Sequence, residues 1–393
     1  MKLRPFLGGV AALVFVCQMG RATTLTSVAL PSTEGTVVGT TFSPDSKRIA
    51  IIRNATEPHA SKARHTIEVA DLETGREVVR AEVVDGESLY LTTVPHFVHY
   101  SPDGRYLLLA TSGSDVLFML DATNLQVVKR IDLHPEIAGR KSLSGRPPLS
   151  NRVVNLAVAS NAEVFAVLTN DLQMGTNELF IGSFPSGEIV KRWGVGEGRS
   201  QSELGEISLS LSADGQRIAV SIMPLKKDTL PKNFNNLRLY KSDTGELIGA
   251  IRTNVPIGPI ALLSGDTVLA SQIDAPSVFR KTTCSEEWSF ATRSVMARFC
   301  DQGRHIINLG ASTTSGLVAG FACQIHRDLE GNVFSIPGRV DVWDSKSGAL
   351  ITYSDEFRNG ISIYQNFQFS ADGSLLLAGH MVFRLVGPGN GPR

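Results

Sequence analysis

A short turn sequence that returns seven times constrains this chain more than any other feature. The clear copies are Phe42-Ser43-Pro44-Asp45, Tyr100-Ser101-Pro102-Asp103-Gly104, Leu211-Ser212-Ala213-Asp214-Gly215 and Phe369-Ser370-Ala371-Asp372-Gly373. Shorter copies stand at Ala159-Ser160-Asn161, Ser264-Gly265-Asp266 and Cys300-Asp301-Gln302-Gly303. Each lies between two apolar stretches. Gly accepts positive φ and Asp bonds its own backbone, so each copy predicts a hairpin turn between paired strands. Self-similarity of this kind marks a chain built from one repeated supersecondary unit.

A second turn follows at a regular offset: Asp71-Leu72-Glu73-Thr74-Gly75, Asp121-Ala122-Thr123-Asn124, Phe184-Pro185-Ser186-Gly187, Ser242-Asp243-Thr244-Gly245 and Asp344-Ser345-Lys346-Ser347-Gly348. Before these turns lie β-rich runs such as Thr66 to Ala70, Val116 to Leu120, Glu178 to Ile181, Leu237 to Tyr240 and Val340 to Trp343. Each repeat therefore holds four strands and two tight turns. On these residues the chain resembles the WD40-like propeller family, with Asp341-Val342-Trp343-Asp344 the best match to its third-strand ending. The Gly-His pair that opens strict WD40 repeats is missing, and looser repeats of this kind are also similar to YVTN (lactonase-like) and TolB-like propellers. The resemblance covers nearly all of the chain after residue 22. It implies an all-β fold, a single seven-bladed β-propeller of four-stranded antiparallel blades, each of about 40 to 45 residues.

The two ends sharpen that expectation. The last repeat supplies strands near Asn366 to Phe369, Leu375 to Ala378 and Val382 to Val386, then breaks into Gly-Pro-Gly-Asn-Gly-Pro without a fourth strand. Thr24 to Leu30 is β-prone and precedes the first blade. It is expected to close the ring as the outer strand of the last blade, hiding a free edge. Residues 23–386 would then form the propeller and 387–393 a flexible tail. Ahead of them, Lys2 and Arg4, the apolar run Phe6 to Val16 and Gly20-Arg21-Ala22 have the three-part layout of a signal peptide, cut near Ala22. Bulky Leu13 to Val16 argue against acylation at Cys17. The run is shorter than the roughly 20 residues a membrane span needs. These features predict a chain that does not span a membrane and works outside the cytoplasm, periplasmic or secreted, as a monomer.

Charge excludes one large class of partner. The chain has 38 basic and 38 acidic residues, and removing Lys2, Arg4 and Arg21 leaves 35 against 38. A balance this near neutral provides no global field for nucleic acid.

Strands alternate in direction from the axis outwards, a to d, so the a-b and c-d turns share one face. The b-c and d-a connections share the other. The first face has only tight turns. The second takes the length: b-c connections at Asn54 to Arg64, Met223 to Asn236 and Gly310 to Gly338, and d-a connections at Val84 to Pro95, His134 to Arg152 and Gly194 to Gly205. Loops beyond a fold's minimum carry function more often than the scaffold does. On this long-loop face His96, Arg140, Lys141, Arg146, Arg152, Lys226 and Lys227 are the candidate binding residues, a basic rim for a protein, peptide or glycan partner.

Catalytic patterns are weak. His96 and His99 are three apart, which in a regular strand sets them on opposite faces; no His-x-His pair exists. No Gly-x-Ser-x-Gly elbow is present. Gly194-Val195-Gly196-Glu197-Gly198 follows an outer strand and opens no helix, so it lacks a phosphate loop's context. No cofactor or metal is expected. Cys284, Cys300 and Cys323 remain after export, and Cys284 with Cys300 is the favoured pair, both assigned to the short-turn face. The expected function is a non-catalytic interaction scaffold; the alternative is a lactonase-like or haem-binding-like propeller enzyme or redox protein using the axial funnel.

Overall fold

In the computed structural model the repeated turns close on their own side chains. Ser43 Oγ donates to Asp45 Oδ1 at 2.6 Å, Asp45 Oδ1 accepts the Lys47 N–H at 3.1 Å, and Ser43 Oγ accepts the Arg48 N–H at 2.9 Å. The Ser–Asp bond recurs at 2.6 Å in Ser101–Asp103, Ser212–Asp214 and Ser370–Asp372. At the outer turns the carboxylate accepts forward: Asp71 Oδ1 takes the N–H groups of Glu73 and Thr74 and the Thr74 hydroxyl, and Asp344 Oδ1 does the same with Lys346 and Ser347. Donors converging on the charged form hold both carboxyls below the usual range, the Thr74 N–H leading at Asp71 and the Ser347 hydroxyl at Asp344.

The structure describes residues 23–30, 35–55, 64–83, 97–110, 115–135, 151–171, 176–195, 204–224, 235–253, 257–263, 266–272, 284–301, 304–323, 325–327, 333–335, 338–355 and 367–386. Strand β1 (Thr24–Val28) comes first. Blade 1 follows with β2 (Thr36–Phe42), β3 (Arg48–Ala55), β4 (Arg64–Asp71) and β5 (Glu77–Val83). Blade 2 is β6 (Phe97–Tyr100), β7 (Tyr106–Ala110), β8 (Val116–Asp121) and β9 (Val127–Asp132); blade 3 is β10 (Asn151–Val158), β11 (Val164–Asp171), β12 (Thr176–Ser183) and β13 (Glu188–Gly194). Blade 4 is β14 (Leu204–Leu211), β15 (Arg217–Pro224), β16 (Leu237–Lys241) and β17 (Leu247–Ile251); blade 5 is β18 (Ile257–Leu262), β19 (Thr267–Gln272), β20 (Ser285–Ser289) and β21 (Ser294–Phe299). Blade 6 is β22 (His305–Ser312), β23 (Leu317–Cys323), β26 (Arg339–Asp344) and β27 (Leu350–Ser354), with a separate hairpin of β24 (Ile325–Arg327) and β25 (Val333–Ser335) between its second and third strands. Blade 7 is β28 (Phe367–Phe369), β29 (Leu375–Ala378) and β30 (Met381–Val386), and β1 completes it.

The expected fold is observed: seven four-stranded antiparallel sheets, with β1 paired along β30 from Thr24↔Val386 to Val28↔Val382. Leu25 packs into the cluster between blades 6 and 7, while Val28 and Leu30 pack between blades 7 and 1. Every seam is a cluster of buried apolar strand residues, for example Phe299, Ile306, Val318 and Trp343 between blades 5 and 6. Burial of each such side chain contributes roughly 1.5–3 kcal/mol. The turns also dock on neighbours. Gly348 adopts φ 68°, and a Cβ there would sit 2.8 Å from the Arg298 carbonyl of blade 5.

The sixth inner turn is a correction. Cys300-Asp301-Gln302-Gly303 was expected to join the first two strands of blade 6, but β21 ends blade 5 at Phe299, and Cys300 and Asp301 open the connection to the next blade. The real turn runs from Ser312 to Gly316. Hydroxyls do the work of the missing aspartate there: Ser312 Oγ accepts the Ser315 N–H at 3.1 Å, and Thr314 donates to the Ala371 carbonyl at 3.1 Å. Asp-x-Gly suits any reverse turn, so the motif alone did not set the register.

Candidate interaction face

The two faces differ as strand direction requires. On the turn face every a-b and c-d link among the described residues is a short turn. On the other face the strand ends are joined by longer connections through 56–63, 84–96, 136–150, 196–203, 225–234, 273–283, 324–338 and 356–366, and by short ones through 111–115, 172–175, 252–256, 300–304 and 379–380. The connection expected from Gly310 to Gly338 begins only after Cys323, because Gly310 and its successors form β22 and β23. Two connections, 273–283 and 356–366, were missed for lack of a clear turn signal at their ends.

Of the candidate binding residues, His96, Arg140, Lys141, Arg146, Lys226 and Lys227 lie outside the described residues. Arg152 lies on β10, paired in register with Asn170.

Several charged constellations at strand ends on or near this face went unnoticed in the sequence. In blade 3, Arg192 grips Glu178 with Nε–Oε1 2.9 Å and Nη2–Oε2 3.1 Å. His134, buried edge-on against Phe180, lies 3.5 Å from the same carboxylate. In blade 1, buried Arg53 donates to buried Glu68 at 2.9 Å. At blade 6, Arg339 stands 2.6 Å from Asp341 and 3.3 Å from Asp301, while Arg304 reaches Asp301 at 3.2 Å. The Arg339 guanidinium also stacks over Tyr353, 4.2 Å from the ring centroid. Burial pushes the fully enclosed Asp341 carboxyl up to about 7, against the pull of Arg339. Spacing could not reveal these groups, because each joins side chains from separate segments of the chain.

The cysteines also required the structure. Cys284 and Cys300 are bonded, Cα–Cα 4.5 Å. They are not at inner and outer turns of neighbouring blades, as expected, and not on the short-turn face. They flank the pair Ser285↔Phe299, so they face each other across the outer two strands of blade 5 at the long-loop face. In blades 2, 3 and 4 the same end is closed by hydrogen bonds: Leu133 N–H to Asp115 O, Val195 N–H to Asn177 O, and Thr253 N–H to Asn236 Oδ1. Cys323 is buried and unbonded, its thiol pushed up to about 11 by burial.

Around the axis, several described polar groups are committed to the seams. Ser208 and Ser210 of β14 accept the Ile260 and Leu262 N–H groups of β18 at 3.3 and 2.8 Å. Gln368 Oε1 accepts from the Thr41 hydroxyl at 3.2 Å. Bulges in β18 and β22 interrupt the ladder beside the Gly258 and Ile306 carbonyls, and buried Ser221 and Ser271 of the preceding blades donate to them at 2.9 and 2.6 Å. His99 bonds the Leu156 backbone, and burial pushes its pKa down to about 4, so it is uncharged at neutral pH. Among the described residues no group of three His, Cys, Asp or Glu side chains could hold a metal ion, and no helix is long and apolar enough to cross a membrane.

No family model matches the sequence, and no curated protein matches it. Among solved structures, the chain is similar to the Swd1 β-propeller domain of Myceliophteria thermophila, with a TM-score of 0.58 and 14% identity over 92% of this chain and 99% of that one. At that identity the likeness is one of architecture. Together with seven ring-forming blades, it shows that this chain is a seven-bladed β-propeller with a WD40-propeller neighbour.

Proposed function

We propose that this chain is an exported, non-catalytic, monomeric interaction scaffold that holds a protein, peptide or glycan on its long-loop face. The observation that carries the reading is the asymmetry of the disc. One face is spent on turns whose carboxylates and hydroxyls satisfy one another, while the chain's spare length goes to the other. The inner wall supports a scaffold over a funnel enzyme, since Thr41, Ser208, Ser210 and Gln368 of its inner strands are bonded across the seams. The Cys284–Cys300 bond supports export, because such bonds persist in oxidising compartments. The outer strands support the monomer. In all six blades with their own outer strand, the pairing breaks at a bulge at the same place, between Val69 and Ala70, Met119 and Leu120, Ile181 and Gly182, Leu239 and Tyr240, Glu287 and Trp288, and Val342 and Trp343. Bulges blunt edges against further pairing.

The test is a pull-down from the periplasmic or secreted fraction with the wild-type chain and with 136–150 shortened to a tight turn. Loss of captured partners on shortening supports the reading. An unchanged set, with the turn-face variant Asp71→Ala altering it instead, assigns the wrong face.

A further inference from the structure

The disulfide sits one residue from the blade 6 ion cluster, and that cluster sits at the root of the extra hairpin. Cys300 is exposed and Cys284 half-buried, so a reductant can reach the bond. Asp301 follows Cys300 directly and is held by Arg304 at 3.2 Å and by Arg339 at 3.3 Å. Arg339 is the first residue of β26, where the chain re-enters the sheet after β24 and β25. Its neighbour Gly338 has no room for a side chain: a Cβ would lie 2.4 Å from the Phe321 ring and 2.6 Å from the Ala322 carbonyl. The hairpin's return is thus pinned by close packing at Gly338 and by charge at Arg339.

We propose that Cys284–Cys300 is a redox latch for the hairpin root on the long-loop face. With the bond intact, the chain leaving blade 5 is anchored and presents Asp301 to Arg304 and Arg339. With the bond reduced, Cys300 and Asp301 lose their covalent tie to Cys284 at the start of β20. Arg339 then loses one of its two carboxylate partners, and the root of β24–β25 loosens. Blades 2, 3 and 4 close the same position with hydrogen bonds that no reductant touches, so the response is confined to one corner of the face. The chemistry is thiol–disulfide exchange with a dithiol. One reductant thiolate attacks a cysteine sulfur, expelling the other cysteine as thiolate. The second reductant thiol then displaces the mixed disulfide. The reductant leaves as its own disulfide, and its two protons end on Cys284 and Cys300. The inference rests on blades 5 and 6 alone and holds whatever partner the face takes.

The experiment is hydrogen exchange read by mass spectrometry on the full chain, oxidised and after dithiothreitol, with Cys284→Ser/Cys300→Ser as a second route to the open state. Amides of 304–310 and 339–344 are expected to exchange at least tenfold faster in both open forms, with 64–71 of blade 1 unchanged. A change confined to 284–299 overturns the relay to blade 6. So does an acceleration spread evenly over all blades, which is a general loss of stability. Asp301→Asn with the disulfide intact separates the steps: it should speed exchange at 339–344 and spare 284–299. Full protection of 339–344 in that variant also overturns the proposal.

Discussion

Blades 1 and 6 carry a carboxylate at the same place, three residues before the turn aspartate of the third strand: Glu68 before Asp71, and Asp341 before Asp344. Both are fully buried. Glu68 meets Arg53 of the adjacent strand at hydrogen-bond distance and geometry. Asp341, shorter by one methylene, has as its cation Arg339 of its own strand, which it shares with Asp301. The repeat thus sets where a charge is buried, and the partner's origin decides whether that charge is well compensated. A buried pair of good geometry is strongly destabilised when one partner goes, whereas a poorly matched one can be replaced at little cost.

The largest effect expected comes from the blade between these two. Deleting 23–30 removes β1 from blade 7 and with it Leu25 and Val28 from the seams toward blades 6 and 1. Loss of the cooperative melting transition is expected in calorimetry, and an unchanged melt would show that closure is not needed. Next, Glu68→Gln should cost about 3–5 kcal/mol by leaving Arg53 without its carboxylate, read by chemical denaturation.

Asp341→Asn should act in the opposite sense to Glu68→Gln, and only above acid pH. The folded Asp341 keeps its proton up to about pH 7, whereas an unfolded aspartate releases it near 3.8. Between those values the folded state binds more protons, so this residue's contribution to stability falls as pH rises. The variant should therefore exceed wild type by about 1–3 kcal/mol at pH 8, with the gap closing toward pH 4. A wild-type advantage at pH 8 would make the two blades alike. The smallest contrast is between the outer turns. Gly75→Ala and Gly348→Ala each force a side chain into the left-handed region, at about 1–2 kcal/mol. Gly348 should be the costlier, because its Cβ meets a carbonyl at 2.8 Å against 3.2 Å for Gly75. Equal melting temperatures would contradict this.

Legibility followed the range of the interactions. Ser43 with Asp45 and Asp71 with Thr74 are local, so their turns and the strands between them could be read directly. The closing strand could be inferred, since a blade short of a strand and a β-prone segment at the other end imply each other. The sixth inner turn could not, because the Ser312 and Thr314 hydroxyls do the work of an aspartate and Cys300-Asp301-Gln302-Gly303 imitates the motif nearby. One misplaced turn also misplaced the cysteines, moving Cys300 from an outer strand to an inner one. The ion cluster of Asp301, Arg304, Arg339 and Asp341 leaves no spacing pattern, since its members come from a connection and a strand of the next sheet.

By itself, then, the sequence determined the number of blades, the direction of their strands and the face that receives the spare length, because turn chemistry and strand alternation act between residues close in the chain. Only the tertiary structure decided which buried carboxylates are matched, which strand ends are joined covalently and which polar groups line the axis. Those outcomes depend on distances across seams, where side chains from different blades meet and where a methylene or a single step in register changes the partner.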